Sequence, residues 1–145
     1  MKVWAILMLL SGGLFSGGVT VFAWERVPAW RRMALPQFRT DFASAIHKAD
    51  RIQPAVLVLT IVATIGFAIT APGLPRTLAL IGAAGFTATL IGSGAVLVPL
   101  QRRIIASSQH QPDLEKMRSR WFRGHLGRSL VAVTSFLLVA TAAIV

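Results

Sequence analysis

The chain has 145 residues, of which 54% are hydrophobic and only 14% charged. Soluble domains carry about 25% charged residues, and disordered segments cannot hold this much apolar surface, so both classes are excluded. With no cysteine and no tyrosine, disulfides, thiolate metal sites, thiol nucleophiles and tyrosyl chemistry are excluded too, and a net charge of +10 needs a location before it has a meaning.

The charges leave four gaps, in chain order residues 3–23, 54–71, 77–100 and 129–145. A hydrocarbon layer about 30 Å thick needs about 20 apolar residues in a helix, with a range of roughly 17–25. All four runs meet that requirement, and helices are the only alternative to a closed barrel in lipid. The first run, after Met1-Lys2 and ending Val21-Phe22-Ala23, also has the outline of a signal peptide. Its length exceeds a signal core of about 7–15 residues, so it reads as a retained helix.

The segment 25–51 carries six basic residues and the segment 101–128 carries seven, against Lys2 and Arg76 alone on the other side. The positive-inside rule predicts both long loops in the cytoplasm and both termini outside. The basic excess is therefore a topology signal, with anionic lipid headgroups as partners rather than nucleic acid.

Both loops are expected to be partly helical. Leu35, Phe38, Phe42, Ile46 and Ala49 recur at three and four, which extends the second helix back toward Pro36, with a kink or break at Pro54. Pro112-Asp113 reads as a helix start, and Leu114, Met117, Trp121, His125 and Arg128 continue at the same spacing, so the fourth helix extends back toward residue 113. Residues 107–112 are the expected flexible loop, and His110 within it is given no role. The fold class is all-α: one integral plasma-membrane four-helix bundle over residues 1–145. Gly13 and Gly17, and Ala84, Ala88 and Gly92, form small-residue stripes. They suit bundle packing, self-association into a homo-oligomer, or room for a flat ligand.

No nucleotide loop, metalloprotease or nucleophile-elbow motif is present. The polar residues concentrate at one end of the predicted bundle: Glu25 after the first run, His47, Asp50, Arg51 and Gln53 before the second, Gln101 after the third, Trp121, His125 and Arg128 before the fourth. His47 shares a helix face with Asp50 and Arg51, and a carboxylate beside an imidazole raises its basicity. Trp121, His125 and Arg128 share a face that also carries Leu114 and Met117, so it points inward. An inward His, Arg and aromatic wall suit a flat anionic ligand, with the Arg stabilising charge and the His taking a proton. Against this, the arginines can snorkel to headgroups, and Trp4, Trp24, Trp30 and Trp121 can anchor at the interface. A transition metal on His47, His125 and Glu25, or haem between the two histidines, is the further option, though no local ligand spacing supports it.

Four pieces of sequence carry a family resemblance. They are Gly12-Gly13-Leu14-Phe15-Ser16-Gly17-Gly18 with Pro28-Ala29-Trp30-Arg31-Arg32; the helix around Phe42 and His47 leading to Gln53-Pro54; Val96-Leu97-Val98-Pro99-Leu100-Gln101-Arg102-Arg103; and Trp121-Phe122-Arg123-Gly124-His125-Leu126-Gly127-Arg128. In this order the chain resembles the DUF1772 family of small four-helix membrane proteins, which includes the anthrone oxygenases. Gln101 stands where that family usually has Asn.

The resemblance implies oxidation of a polycyclic phenol of anthrone type to a quinone with O2 as co-substrate, and no flavin, haem or other cofactor. The implied roles are His47 or His125 as base, Arg128 with Arg51 or Gln101 on the oxyanion, and Trp121 against the ring. Three other classes stay open on the residues themselves: a non-catalytic accessory or assembly subunit, a His-ligated metal-dependent oxidase, and a transporter. The last is disfavoured because no ionisable residue lies inside the four apolar runs.

Overall fold

The computed structural model describes residues 1–108 and 112–145, and the described residues form four helical rods without a strand. The first rod joins α1 (Lys2–Val21) through a π-helical turn (Phe22–Arg26) to α2 (Val27–Arg32). The second comprises α3 (Leu35–Ala49) and α4 (Gln53–Thr70). The third joins α5 (Gly73–Gly92) through a second π-helical turn (Ser93–Leu97) to α6 (Val98–Ala106), and the fourth is α7 (Leu114–Ile144). All four rods are long and apolar enough to cross a membrane.

Both π turns have the same sequence cause. Each ends two residues before a proline, Pro28 or Pro99. Proline offers no N–H, and its ring clashes with the carbonyl four residues earlier. A widened turn relieves the clash without breaking the rod. In the second rod the break falls at residues 50–52 instead, and Pro54 sits in the first turn of α4, where a missing N–H costs nothing.

The rods pack as a ring. α1 lies against α4, α4 against α5, α5 against α7, and α7 against α1. Adjacent rods run antiparallel because Met33-Ala34 and Ala71-Pro72 are too short to allow any other arrangement. The 31 residues of α7 make a helix about 46 Å long, against a hydrocarbon layer of about 30 Å. The surplus builds a second core. The first core lies among the apolar runs, around Met8, Phe15, Phe67, Phe86 and Val139. The second gathers Trp30, Phe38, Phe42, Ile104, Trp121 and Phe122 at the basic end.

The two segments expected as long loops are therefore mostly ends of rods. Their apolar residues at three-and-four spacing find partners in the second core, and that contact decides the helix. Arg118 secures this end: it donates to the carbonyls of Trp30 (3.1 Å) and Met33 (3.0 Å), which close the first rod, and pairs with Glu115. Trp30 is fully buried rather than interfacial, its indole N–H donating to Asp41 at 2.6 Å. The stretch expected to be flexible begins with a buried Ser107, whose carbonyl accepts from Arg39 and whose hydroxyl donates to Ile104. His110 lies outside the described residues.

Glycines set the closest rod contact, but not those of the expected stripe. Ala84, Ala88 and Gly92 face outward. Gly82 and Gly85 face α7, where an added Cβ would strike Val139 and Ser135. Of the GxxxG pair, Gly13 lies against Phe136, while Gly17 has open space beside it. Leu10, Ile69, Leu130 and Leu137 are more than half exposed, giving the bundle an apolar outer wall.

Candidate functional site

A polar atom buried without a partner is costly, so a cluster of them asks for an explanation. Among the described residues, Trp121 Nε1, in the second core, is buried without a hydrogen-bond partner, and so are three atoms elsewhere: Ser93 Oγ, Gln101 Oε1 and the Nε of Arg128. All three residues line one cavity of about 180 Å3. Ser93 comes from the second π turn, which turns it inward between Gly92 and Gly94. Gln101 comes from α6 and Arg128 from α7. Asp50 and Gln53 come from the break in the second rod, and Phe15, Leu57, Leu90 and Leu97 supply apolar walls. Asp50 and Arg128 are the only ionisable side chains on the lining, and neither makes an ion pair among the described residues.

A neighbouring, more apolar hollow of about 220 Å3 shares Ser93, Leu97 and Arg128 with this cavity. Gly92, Gly124, Gly127 and Val131 line its outer part. Arg128 is thus the charged residue common to both hollows. A wider hollow of about 700 Å3 at the basic end is lined mostly by charged residues, Arg103, Asp113, Lys116 and Arg120 among them.

His125 holds Arg128 in place. Its Nδ1 lies 3.0 Å from Nη2 of Arg128, and its Nε2 lies 3.3 Å from the carbonyl of Val19. A guanidinium only donates, so Nδ1 accepts and Nε2 carries the proton toward Val19. Trp121 stacks on the imidazole with centroids 4.8 Å apart and planes 8° from parallel. Both rings are fully buried, and neither faces the cavity.

The residues singled out from sequence therefore separate into three groups. Gln101 and Arg128 meet on the cavity. His125 and Trp121 stand behind Arg128 in the aromatic core. His47 and Arg51 pair with each other at 2.9 Å on the exposed surface and do not line the cavity. Glu25 is exposed on the first π turn. Glu25, His47 and His125 do not come together, and no cluster of three or more His, Asp or Glu with metal-binding geometry occurs among the described residues. The sequence noted Asp50 only as a companion of His47 and passed over Ser93. The available signal for Ser93 was a hydroxyl between two glycines inside an apolar run, six residues before a proline.

The family model for anthrone oxygenase matches residues 42–138, about two thirds of the chain. The chain belongs to the anthrone oxygenase family. The part matching the anthrone oxygenase model includes Asp50, Ser93, Gln101, His125 and Arg128, so every polar residue on the cavity falls inside it. Val19, Trp30 and Phe15 precede it. No curated protein and no solved structure matches the chain.

Proposed function

We propose that this protein is an integral plasma-membrane oxygenase that takes a fused-ring phenolic ketone of anthrone type and O2 to the corresponding quinone and water. Membership of the anthrone oxygenase family supports oxygenase chemistry. The observation that carries the reading at this site is the half-buried Arg128, its Nε unpartnered, beside unpartnered Gln101 Oε1 and Ser93 Oγ in an apolar-walled cavity.

The chemistry asks for that arrangement. Loss of a proton from the ring methylene gives an anion whose charge moves to the ketone oxygen. A guanidinium in a site of low dielectric stabilises that charge far better than water-screened arginine does. The electron-rich anion then reduces O2, and its carbon bonds to oxygen to give a hydroperoxide. Loss of water breaks the O–O bond and forms the second carbonyl. The sum is one methylene and one O2 converted to one carbonyl and one water. O2 accepts all the electrons, so the proposal includes no flavin, haem or metal.

The basic ends of the rods are proposed to lie in the cytoplasm, against anionic headgroups, with both termini outside. A greasy phenolic substrate would partition to that depth. The test is oxygen uptake and quinone absorbance when the purified chain meets an anthrone. Arg128→Ala should lower turnover by about 100–1,000-fold, the range for removing an oxyanion donor. Equal turnover in that variant removes Arg128 from the mechanism. Absence of turnover in the wild-type protein favours the accessory-subunit reading.

A further inference from the structure

Asp50 closes α3 and sits in the break before α4. We infer that Asp50 is the catalytic base of this site, taking the proton from the ring carbon of a fused-ring phenolic ketone while Arg128, on the same cavity, binds the oxygen that becomes negative. The inference rests on the oxygenase reading above.

A base needs a free lone pair that reaches the substrate. The two histidines favoured from sequence lack one. His125 has its Nδ1 against Arg128 and its Nε2 against Val19, and it does not line the cavity. His47 is exposed, has its Nε2 on Arg51, and does not line the cavity either. Of the polar residues that do, Gln53, Ser93 and Gln101 are not bases at neutral pH and Arg128 is a cation. Asp50 is the remaining group, and its carboxylate accepts no hydrogen bond and makes no ion pair among the described residues.

Its surroundings suit the task. Arg128 from α7, Arg102 from α6 and His47 from its own helix are the charged or titratable groups around it. Burial pushes the Asp50 carboxyl above the usual carboxylate range, against the opposing pull of Arg128, His47 and Arg102, and a raised carboxylate is the stronger base. Asp50 is an exposed residue as well as part of the cavity lining, so a proton taken inside the cavity has a way out to water. In the step itself the methylene C–H bond breaks and its proton bonds to a carboxylate oxygen of Asp50. The electron pair spreads through the ring to the ketone oxygen, which pairs with Arg128. Net charge is unchanged, and no electron leaves the substrate until O2 arrives.

The experiment uses the full chain in phospholipid nanodiscs. A dihydroxyanthrone is the substrate, and the matching dihydroxyanthraquinone is an unreactive ligand for the cavity. Asp50→Asn should lower turnover at neutral pH by at least about 100-fold, the lower range for general-base catalysis. It should leave KM and quinone binding within about threefold. When the medium is made alkaline enough to ionise the dihydroxyanthrone itself, turnover above the protein-free rate should climb back toward wild type. Asp50→Glu should keep part of the neutral-pH rate.

Neutral-pH turnover within about threefold of wild type in Asp50→Asn overturns the role of Asp50 while leaving the oxygenase reading standing. So does a variant whose quinone binding falls in step with turnover and whose rate alkali does not restore, because that marks a structural carboxylate. A wild-type chain that binds the quinone but consumes no oxygen overturns the oxygenase reading and the base together.

Discussion

Arg128 donates from Nη2 to Nδ1 of His125 at 3.0 Å, one turn away on the same helix. Only a deprotonated Nδ1 can receive that bond, so the pair exists with a neutral imidazole. The other ring nitrogen, against Val19, ties α7 to the end of α1. A residue pattern that suggests a base from sequence also forms, in three dimensions, a bracket for the arginine.

His125→Ala should therefore fail in two ways at once. Removing a fully buried ring stacked on Trp121 leaves a void worth about 2–4 kcal/mol. Arg128 also loses its anchor, so the variant should bind a dihydroxyanthraquinone more weakly. His125→Asn keeps an acceptor and a donor on a smaller frame and should recover part of the binding. Thermal unfolding in detergent with a ligand titration checks both. A His125→Ala protein that stays as stable as wild type and binds normally contradicts the bracket.

The glycine contacts give an internal contrast. At Gly82 an added Cβ would meet Val139 and the carbonyl of Ser135, so Gly82→Val should cost about 1–3 kcal/mol through overpacking. At Gly17 nothing lies within 4 Å. There Gly17→Ala should be neutral, or stabilise by up to about 1 kcal/mol through helix propensity. Melting temperatures of the two variants in the same detergent decide it. A large loss at Gly17 would point to a second copy of the chain packed on that face.

Sidedness can be measured because the chain has no cysteine. Ser108→Cys, at the basic end, and Thr77→Cys, beside Arg76, are both exposed positions. A membrane-impermeant maleimide added to intact cells should label Thr77→Cys only, and label Ser108→Cys only after the membrane is opened. The reverse pattern would place the basic ends outside.

Elemental analysis of the purified chain, with an absorption spectrum of the same sample, tests the cofactor-free proposal. The expected result is less than stoichiometric transition metal, no visible band, and turnover that survives a chelator. A stoichiometric metal that reconstitutes lost activity would overturn it.

Much of the fold was legible in the residues. The four apolar runs, the thirteen basic residues grouped in two segments and the helical spacing in the second and fourth rods follow from hydropathy and periodicity. These are local properties, and lipid leaves the backbone no alternative to hydrogen-bonding within a helix. The resemblance carried by residues around Gln101 and Arg128 was legible for the same reason, being written in contiguous stretches.

The partition of the polar cluster was not legible. His47 and His125 are equivalent candidates in sequence, and Asp50 enters there only as a companion of His47, because spacing fixes a helix face but not what that face meets. The rotation of each rod in the ring decides that Asp50 reaches the cavity, that His47 faces outward and that His125 is sealed behind Trp121. The same packing turned Gly82 and Gly85 inward in place of Ala84 and Ala88, and drew Ser93 to the cavity through a π turn forced by Pro99. The sequence by itself determined a four-helix membrane bundle with one polar end, because hydrophobic length and charge distribution act locally. Only the tertiary structure decided which polar groups meet in a common space, because that depends on contacts between residues far apart in the chain.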